Sequence, residues 1–267
     1  IHADVFYSGA GADTLAGGGG NDTFNIGTLA YIDGLTEAIY GGAVAGADSG
    51  NDQIVFEVAG SADISSATIS GIETLVLNAG SNSITMTANQ HNDFTGGITG
   101  GGGTDQVTLT TAGTVTGSSI VEIYALASGD QTFTLGADSQ DVTAAVDGTD
   151  NAITVSSGAR TNLSGDITGT GAESLSVFVD ANTTNISGAT ILGTGGAQDA
   201  AYDIDLDTDV TAVTMTRAQH LLLDNIGSAA VVVSLSDAGN TTGNAGVGGY
   251  ALASGDQTFT LGADSQD

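Results

Sequence analysis

The sequence predicts an all-β chain wound as a parallel β-solenoid, with a tight roll at its start grading into a larger, irregular β-helix. Three observations point there. Glycine- and aspartate-rich nonapeptides open the chain, apolar–hydroxyl–apolar triplets return every 20–26 residues, and a long repeat recurs at an offset of 126 residues.

The nonapeptides follow the pattern G-G-x-G-x-D-x-U-x, with U a large apolar residue. Gly17-Gly18-Gly19-Gly20-Asn21-Asp22-Thr23-Phe24-Asn25 fits at every fixed position. The copy before it, Ser8 to Ala16, departs only by Ser8 in place of the leading glycine. Gly100 to Thr108 also fits throughout, and Ala47 to Val55 lacks only the leading glycine pair. Glycines turn the chain tightly with carbonyls inward, aspartate supplies anionic oxygen for a hard cation, and the apolar residue (Leu15, Phe24) plugs a strand into the core.

These motifs resemble the repeats-in-toxin (RTX) family of secreted bacterial proteins, in which calcium sits between stacked turns on motif aspartates and glycine carbonyls. The resemblance covers under a sixth of the chain. It implies Ca2+ ligation by Asp13, Asp22, Asp52 and Asp105, with Gly9, Gly11, Gly18 and Gly20 in the ligating loops. Read alone, the same aspartates beside glycine also suit ordinary turns. The nonapeptide after Gly17 starts 30 residues later, too far for a turn of two nonapeptides. Asp33, Gly41-Gly42 or Asp48 from an enlarged neighbouring turn are therefore expected to complete the sites. The second half offers only weaker counterparts, Asp138, Asp141 and Asp150.

Charge supports a cation. The chain carries 31 acidic residues against Arg160 and Arg217, a net charge of -29. That excludes nucleic acid and anionic membrane as partners, because both demand a basic surface. Two carboxylates one strand spacing apart, about 4.8 Å, repel by roughly 1 kcal/mol in water and roughly 3–4 kcal/mol at an effective dielectric of 20. Stacked aspartates therefore need counter-charge. Cysteine is absent, so no disulfide helps, and apolar runs such as Leu221 to Leu223 are too short for membrane insertion. The chain begins with Ile1 and no signal-peptide pattern follows, so it reads as a piece of a longer or processed protein.

The long repeat sets the organisation. YALASGDQTFTLGADSQD at 124–141 recurs unchanged at 250–267, Ile64–Ile69 (ISSATI) echoes Ile186–Ile191 (ISGATI), and Thr85–His91 (TMTANQH) echoes Thr214–His220 (TMTRAQH). We read residues 1–58 as RTX-like turns opening a first unit and 59–123 as its further rungs. Residues 124–249 form a second unit, and 250–267 start a third. Triplets such as Ile84-Thr85-Met86, Val107-Thr108-Leu109 and Leu175-Ser176-Val177 predict strands with apolar side chains inward, about one per turn. No amphipathic helix is evident, and Ala212 to Asn225 reads as strand.

Other candidates carry less. Glu73, Glu122 and Glu173 precede strands at regular spacing and read as solvated rung markers before cation ligands. His91 and His220 read as surface or rung residues before a zinc pair. Asn162, Asn182, Asn185 and Asn240 begin N-x-S/T sequons that arise readily in so polar a chain. No catalytic motif is found, so no enzymatic role is expected. The expectation is a secreted, calcium-stabilised structural protein at the cell surface. It would self-assemble as a homo-oligomer into a lattice or filament, as in the surface-layer proteins it resembles, with a cell-surface polysaccharide as a further partner. Alternatives are an adhesin extender or ligand-binding module, or the repeat tail of a secreted enzyme.

Overall fold

The computed structural model describes residues 2–33, 36–43, 50–145, 152–170, 174–193, 202–227 and 230–262. The chain is a parallel β-solenoid, and every strand pairing among the described residues is parallel. It divides into two compact units, Ile1–Ala127 and Ser128–Asp267. Tyr124, where the long repeat opens, lies in the first unit, because the strand Ile123–Leu126 pairs with Gln106–Leu109. No helix is long and apolar enough to cross a membrane among the described residues.

In the first unit one sheet runs through Val5–Tyr7, Thr23–Ile26, Gln53–Phe56, Thr74–Leu77 and Gly97–Gly100. Phe6, Phe24, Ile54, Leu75 and Ile98 are register neighbours along it, giving successive turns of 18, 30, 21 and 23 residues. The first step is a turn of two nonapeptides, and the second is the enlarged turn that the motif spacing requires. A second sheet joins Thr14–Gly18, Ala38–Gly42 and Thr68–Ser70. A third carries Ser61–Asp63, Ser83–Met86, Gln106–Leu109 and Ile123–Leu126. The expectation of one strand per turn is corrected here. Between Ile54 and Leu75 the chain also makes Ser61–Asp63 and Thr68–Ser70, each held by one inward residue, Ala62 or Ile69.

Alternation builds the core. Gln53–Phe56, Thr74–Leu77, Ser83–Met86, Gln106–Leu109 and Ile123–Leu126 all bury their second and fourth residues. Phe24, Ile39, Ile54, Leu75, Ile84 and Val107 are each at most 1% exposed, and such burial contributes about 1.5–3 kcal/mol per side chain.

The second unit repeats this scheme. Phe133, Val155, Val177 and Ile204 stack along one sheet, and Val142, Ile167 and Ile191 along another. Val213, Val233 and Tyr250 stack along a third. The last triplet departs from the pattern. Leu261 is 56% exposed, whereas the identical Leu135 is 3% exposed beside the strand Ala152–Ser156.

Two short helices, α1 (Ala88–Asp93) and α2 (Arg217–His220), interrupt the strands. Only Ala212–Met215 and Leu223–Ile226 of the stretch read as strand are extended, with α2 between them. The cause is a T-x-x-Q capping box. Thr87 Oγ1 accepts from Gln90 N at 3.1 Å and Gln90 Oε1 from Thr87 N at 2.8 Å, and Thr216 and Gln219 repeat the exchange. The glutamine amide then reaches a neighbouring turn. Gln90 Nε2 donates to Ile64 O (2.7 Å) and Ala67 O (2.9 Å), and Gln219 Nε2 to Ile186 O (2.7 Å) and Ala189 O (2.8 Å). The echoed segments are thus one structural device, a tight turn and the glutamine that satisfies it. Gln90→Ala, which removes the bonds to two buried carbonyls and opens the cap, is expected to lower stability by about 2–4 kcal/mol in urea unfolding. Gln53→Ala, whose amide meets only Thr23 Oγ1, should lose under about 1 kcal/mol; equal losses would contradict the assignment.

Candidate metal centre

Among the described residues, eight acids occupy one structural slot, two residues before the first inward side chain of a strand. They are Asp4, Asp13, Asp22, Glu37, Asp52, Glu73, Asp105 and Glu122, followed at that distance by Phe6, Leu15, Phe24, Ile39, Ile54, Leu75, Val107 and Tyr124. Parallel register stacks members of the slot turn upon turn. In the first column each carboxylate accepts the backbone N–H of its counterpart one turn earlier. Asp22 Oδ1 takes Asp4 N (2.7 Å), Asp52 Oδ1 takes Asp22 N (2.5 Å) and Glu73 Oε2 takes Asp52 N (2.7 Å).

That arrangement uses one oxygen of each carboxylate and turns the other towards glycines. Asp22 is 1% exposed, and its Oδ2 is buried with no hydrogen-bond partner among the described residues. A Cβ on Gly17 would sit 2.6 Å from Gly41 O and would also collide with Asp22 Oδ2, so two acceptors converge on one point. One turn on, a Cβ on Gly41 would collide with Asp52 Oδ2 and Gly71 O. Asp105 repeats the motif, with Oδ1 accepting from Asn82 N and Nδ2 (both 2.9 Å), Gly101 against its Oδ2, and its own N–H donated to Glu122 Oε2 (2.7 Å).

The second column stacks Glu37 on Asp13, since Ala38 N donates to Asp13 O at 3.0 Å and Thr14 registers with Ala38. Glu37 is 1% exposed, and neither carboxylate oxygen accepts a hydrogen bond from another described residue. Burial holds its carboxyl above the ordinary range, offset in part by its own backbone N–H and reinforced by the charge of Asp13. Asp13 accepts from Gly9 N at 3.2 Å.

These residues fit a hard cation. Asp22 Oδ2, without a donor among the described residues, lies beside the Gly41 carbonyl, and anionic and carbonyl oxygens are the donor set that calcium takes. No group of three or more His, Cys, Asp or Glu gathers to hold a metal among the described residues. A bound ion would therefore draw part of its shell from backbone carbonyls.

Of the residues expected from sequence, Asp22 and Asp52 share the first column, Asp13 lies in the second, and Asp105 has a column of its own. Gly11, Gly18 and Gly20 turn the chain with φ of 110°, 94° and 128°, and the glycines nearest the carboxylates are Gly17 and Gly41. Asp33 is exposed and accepts from Asp63 N at 2.7 Å. Asp48, Asp150 and Glu173 lie outside the described residues. Asp138 is exposed, and Asp141 accepts from Asp166 N at 2.8 Å. Glu73 and Glu122 are working acceptors in the columns and not merely solvated markers. Asn182 and Asn240 are exposed, while Asn162 and Asn185 bridge two turns. Sequence reading passed over Asp4 and Glu37, although the acid-x-apolar spacing at each strand start marks both.

His91 and His220 are buried and are not surface residues. His91 Nε2 lies 3.0 Å from Tyr124 OH, which also accepts from Ser118 N (2.8 Å). His220 Nε2 lies 2.7 Å from Tyr250 OH, which accepts from Asn244 N (2.7 Å). Burial holds His91 down at about 4, with the Asn92 side chain pulling the other way, and burial also lowers His220. Tyr124 and Tyr250 are raised by burial, each partly offset by the backbone N–H it accepts. An imidazole unprotonated at Nε2 takes the tyrosine proton, whereas a protonated ring presents N–H to the hydroxyl instead.

Comparison with protein-family models, with curated protein sequences and with solved structures finds no match to this chain.

The lowered histidines contribute stability that is complete above about pH 6.5 and lost as pH falls towards about 4. For His91 the loss is on the order of 3 kcal/mol. Glu37 and Asp203, both raised by burial, act in the opposite sense. Melting temperatures from pH 7 to 4.5 are therefore expected to fall less steeply in a His91→Gln/His220→Gln variant than in wild type; parallel curves would contradict this. Gly41→Ala, which pushes a methyl group between Asp52 and Gly71 O, should cost over about 2 kcal/mol and abolish cation-dependent stabilisation in the same melts.

Proposed function

We propose that this chain is a calcium-stabilised structural solenoid of RTX type, secreted and built into an extracellular lattice or filament. One observation carries the reading: Glu37 is 1% exposed, its carboxylate receives no donor from another described residue, and it stacks on Asp13. An unsatisfied buried charged group costs more than about 1–3 kcal/mol, and the slot repeats it at Asp22 Oδ2. Such losses weigh heavily against a net stability of about 5–15 kcal/mol. A divalent ion reverses their sign by satisfying the oxygens and cancelling the repulsion.

The nonapeptides, the opening turn of 18 residues and the glycine-flanked carboxylates all support the RTX reading. Because ion binding and folding are coupled, the chain would remain loose at cytosolic calcium and fold outside the cell. Assembly would use calcium bridges between acidic surfaces. It would also use open strand edges such as Val5–Tyr7, where Val5 is 59% and Tyr7 69% exposed. The role is structural, not catalytic.

Circular dichroism and sedimentation velocity in EDTA and in millimolar calcium test this. Chelation is expected to remove much of the strand signal and lower the melting temperature by more than about 10 °C, and calcium should restore both and drive assembly. Glu37→Gln should weaken the calcium response while keeping the calcium-loaded strand content. Identical melting and a monomeric chain in both buffers would overturn the reading.

A further inference from the structure

Beside α2 the second unit holds a cleft of about 540 Å³, within the usual range of small-molecule sites, about 300–1,000 Å³. Arg217, one of only two cationic side chains in the chain, forms part of its wall. Its guanidinium is pinned. Nε meets Asp237 Oδ2 at 3.2 Å and Nη1 donates to Asn240 O at 3.2 Å, while Asp237 Oδ1 takes the Arg217 backbone N–H at 2.7 Å. Gly239, at φ 140°, lies so close that a Cβ there would strike the guanidinium.

The fold itself does not require this pair. In the first unit the equivalent bond at the start of α1 runs from Ala88 N to Thr111 Oγ1 at 3.0 Å. The cleft beside that helix, about 380 Å³ and lined by His91, Thr114 and Thr116, carries no arginine and no acid. With side chains 34% and 44% exposed, the Arg217–Asp237 pair is screened by solvent and adds little stability. An arginine placed where a threonine suffices for folding points to a ligand.

The remaining groups define that ligand. Two of the five guanidinium donors are occupied by Asp237 and Asn240, which leaves three without a partner among the described residues. Thr242 and Thr260 stand side by side on paired strands, and Leu221, 61% exposed, adds an apolar surface. Arg217 and Asp237 cancel, so the cleft is locally neutral in a chain of net charge -29, which repels anions. Hydroxyls, spare donors, one carboxylate and a small apolar face match a neutral molecule dense in hydroxyl and ether oxygens.

We propose that this cleft binds neutral saccharide units. The inference does not rest on the calcium reading, since none of the acid columns contributes to the cleft. The test is a glycan array bearing neutral and acidic glycans, probed with the calcium-loaded chain and with Arg217→Ala and Thr242→Val, each checked for an unchanged melting temperature. Wild type should retain neutral glycans, with about tenfold or greater loss in Arg217→Ala and about three- to tenfold in Thr242→Val. Thr114→Val in the first unit should bind as wild type. Retention of no glycan, retention of acidic glycans alone, or undiminished binding by a folded Arg217→Ala would each overturn the proposal.

Discussion

Parallel stacking places like residues above like, so any acid fixed at a turn corner meets another acid one strand spacing away. Everything about the first unit follows from how that repulsion is handled. In the first column one oxygen of each carboxylate is spent on the backbone N–H of the preceding turn, as between Asp52 and Asp22, which ties consecutive turns together. The other oxygen is directed at Gly17 or Gly41, where any side chain would block it. The corner thereby concentrates negative charge, which the proposed bound cation would balance.

Behind the corners the solenoid is ordinary. Inward Ile, Leu, Val and Phe form continuous apolar stacks, and outward Thr and Ser keep the faces polar. Between these layers lie polar plugs. Gln90 and Gln219 satisfy carbonyls of a neighbouring tight turn, and each histidine–tyrosine pair closes the space next to its short helix. The two units share these plugs while differing at their corners. The acid slot is filled repeatedly in the first unit, whereas an arginine–aspartate pair has entered the second beside α2. Each unit thus keeps its winding and varies what its edge can hold.

Much of this was legible in the residues. The triplets gave strand positions and inward faces, because a period of two is set by backbone geometry alone. The nonapeptides placed Asp22 and Asp52 in one column, because the acid and the apolar plug keep a fixed distance. Three things were hidden. Short strands such as Ser61–Asp63 rest on a single inward residue, too little to show a period. Glu37 belongs to no nonapeptide, and only register with Thr14–Gly18 reveals its stacking on Asp13. The helices were overlooked because β-branched neighbours mask a four-residue turn, although the T-x-x-Q spacing of a capping box stood in the sequence twice.

Anomalous diffraction from crystals grown in calcium tests the central claim most directly. The account predicts anomalous peaks about 2.3–2.6 Å from Asp22 Oδ2 and Gly41 O, and again at the Glu37 carboxylate. Ordered carboxylates in the same positions, with no peak between them, would contradict it.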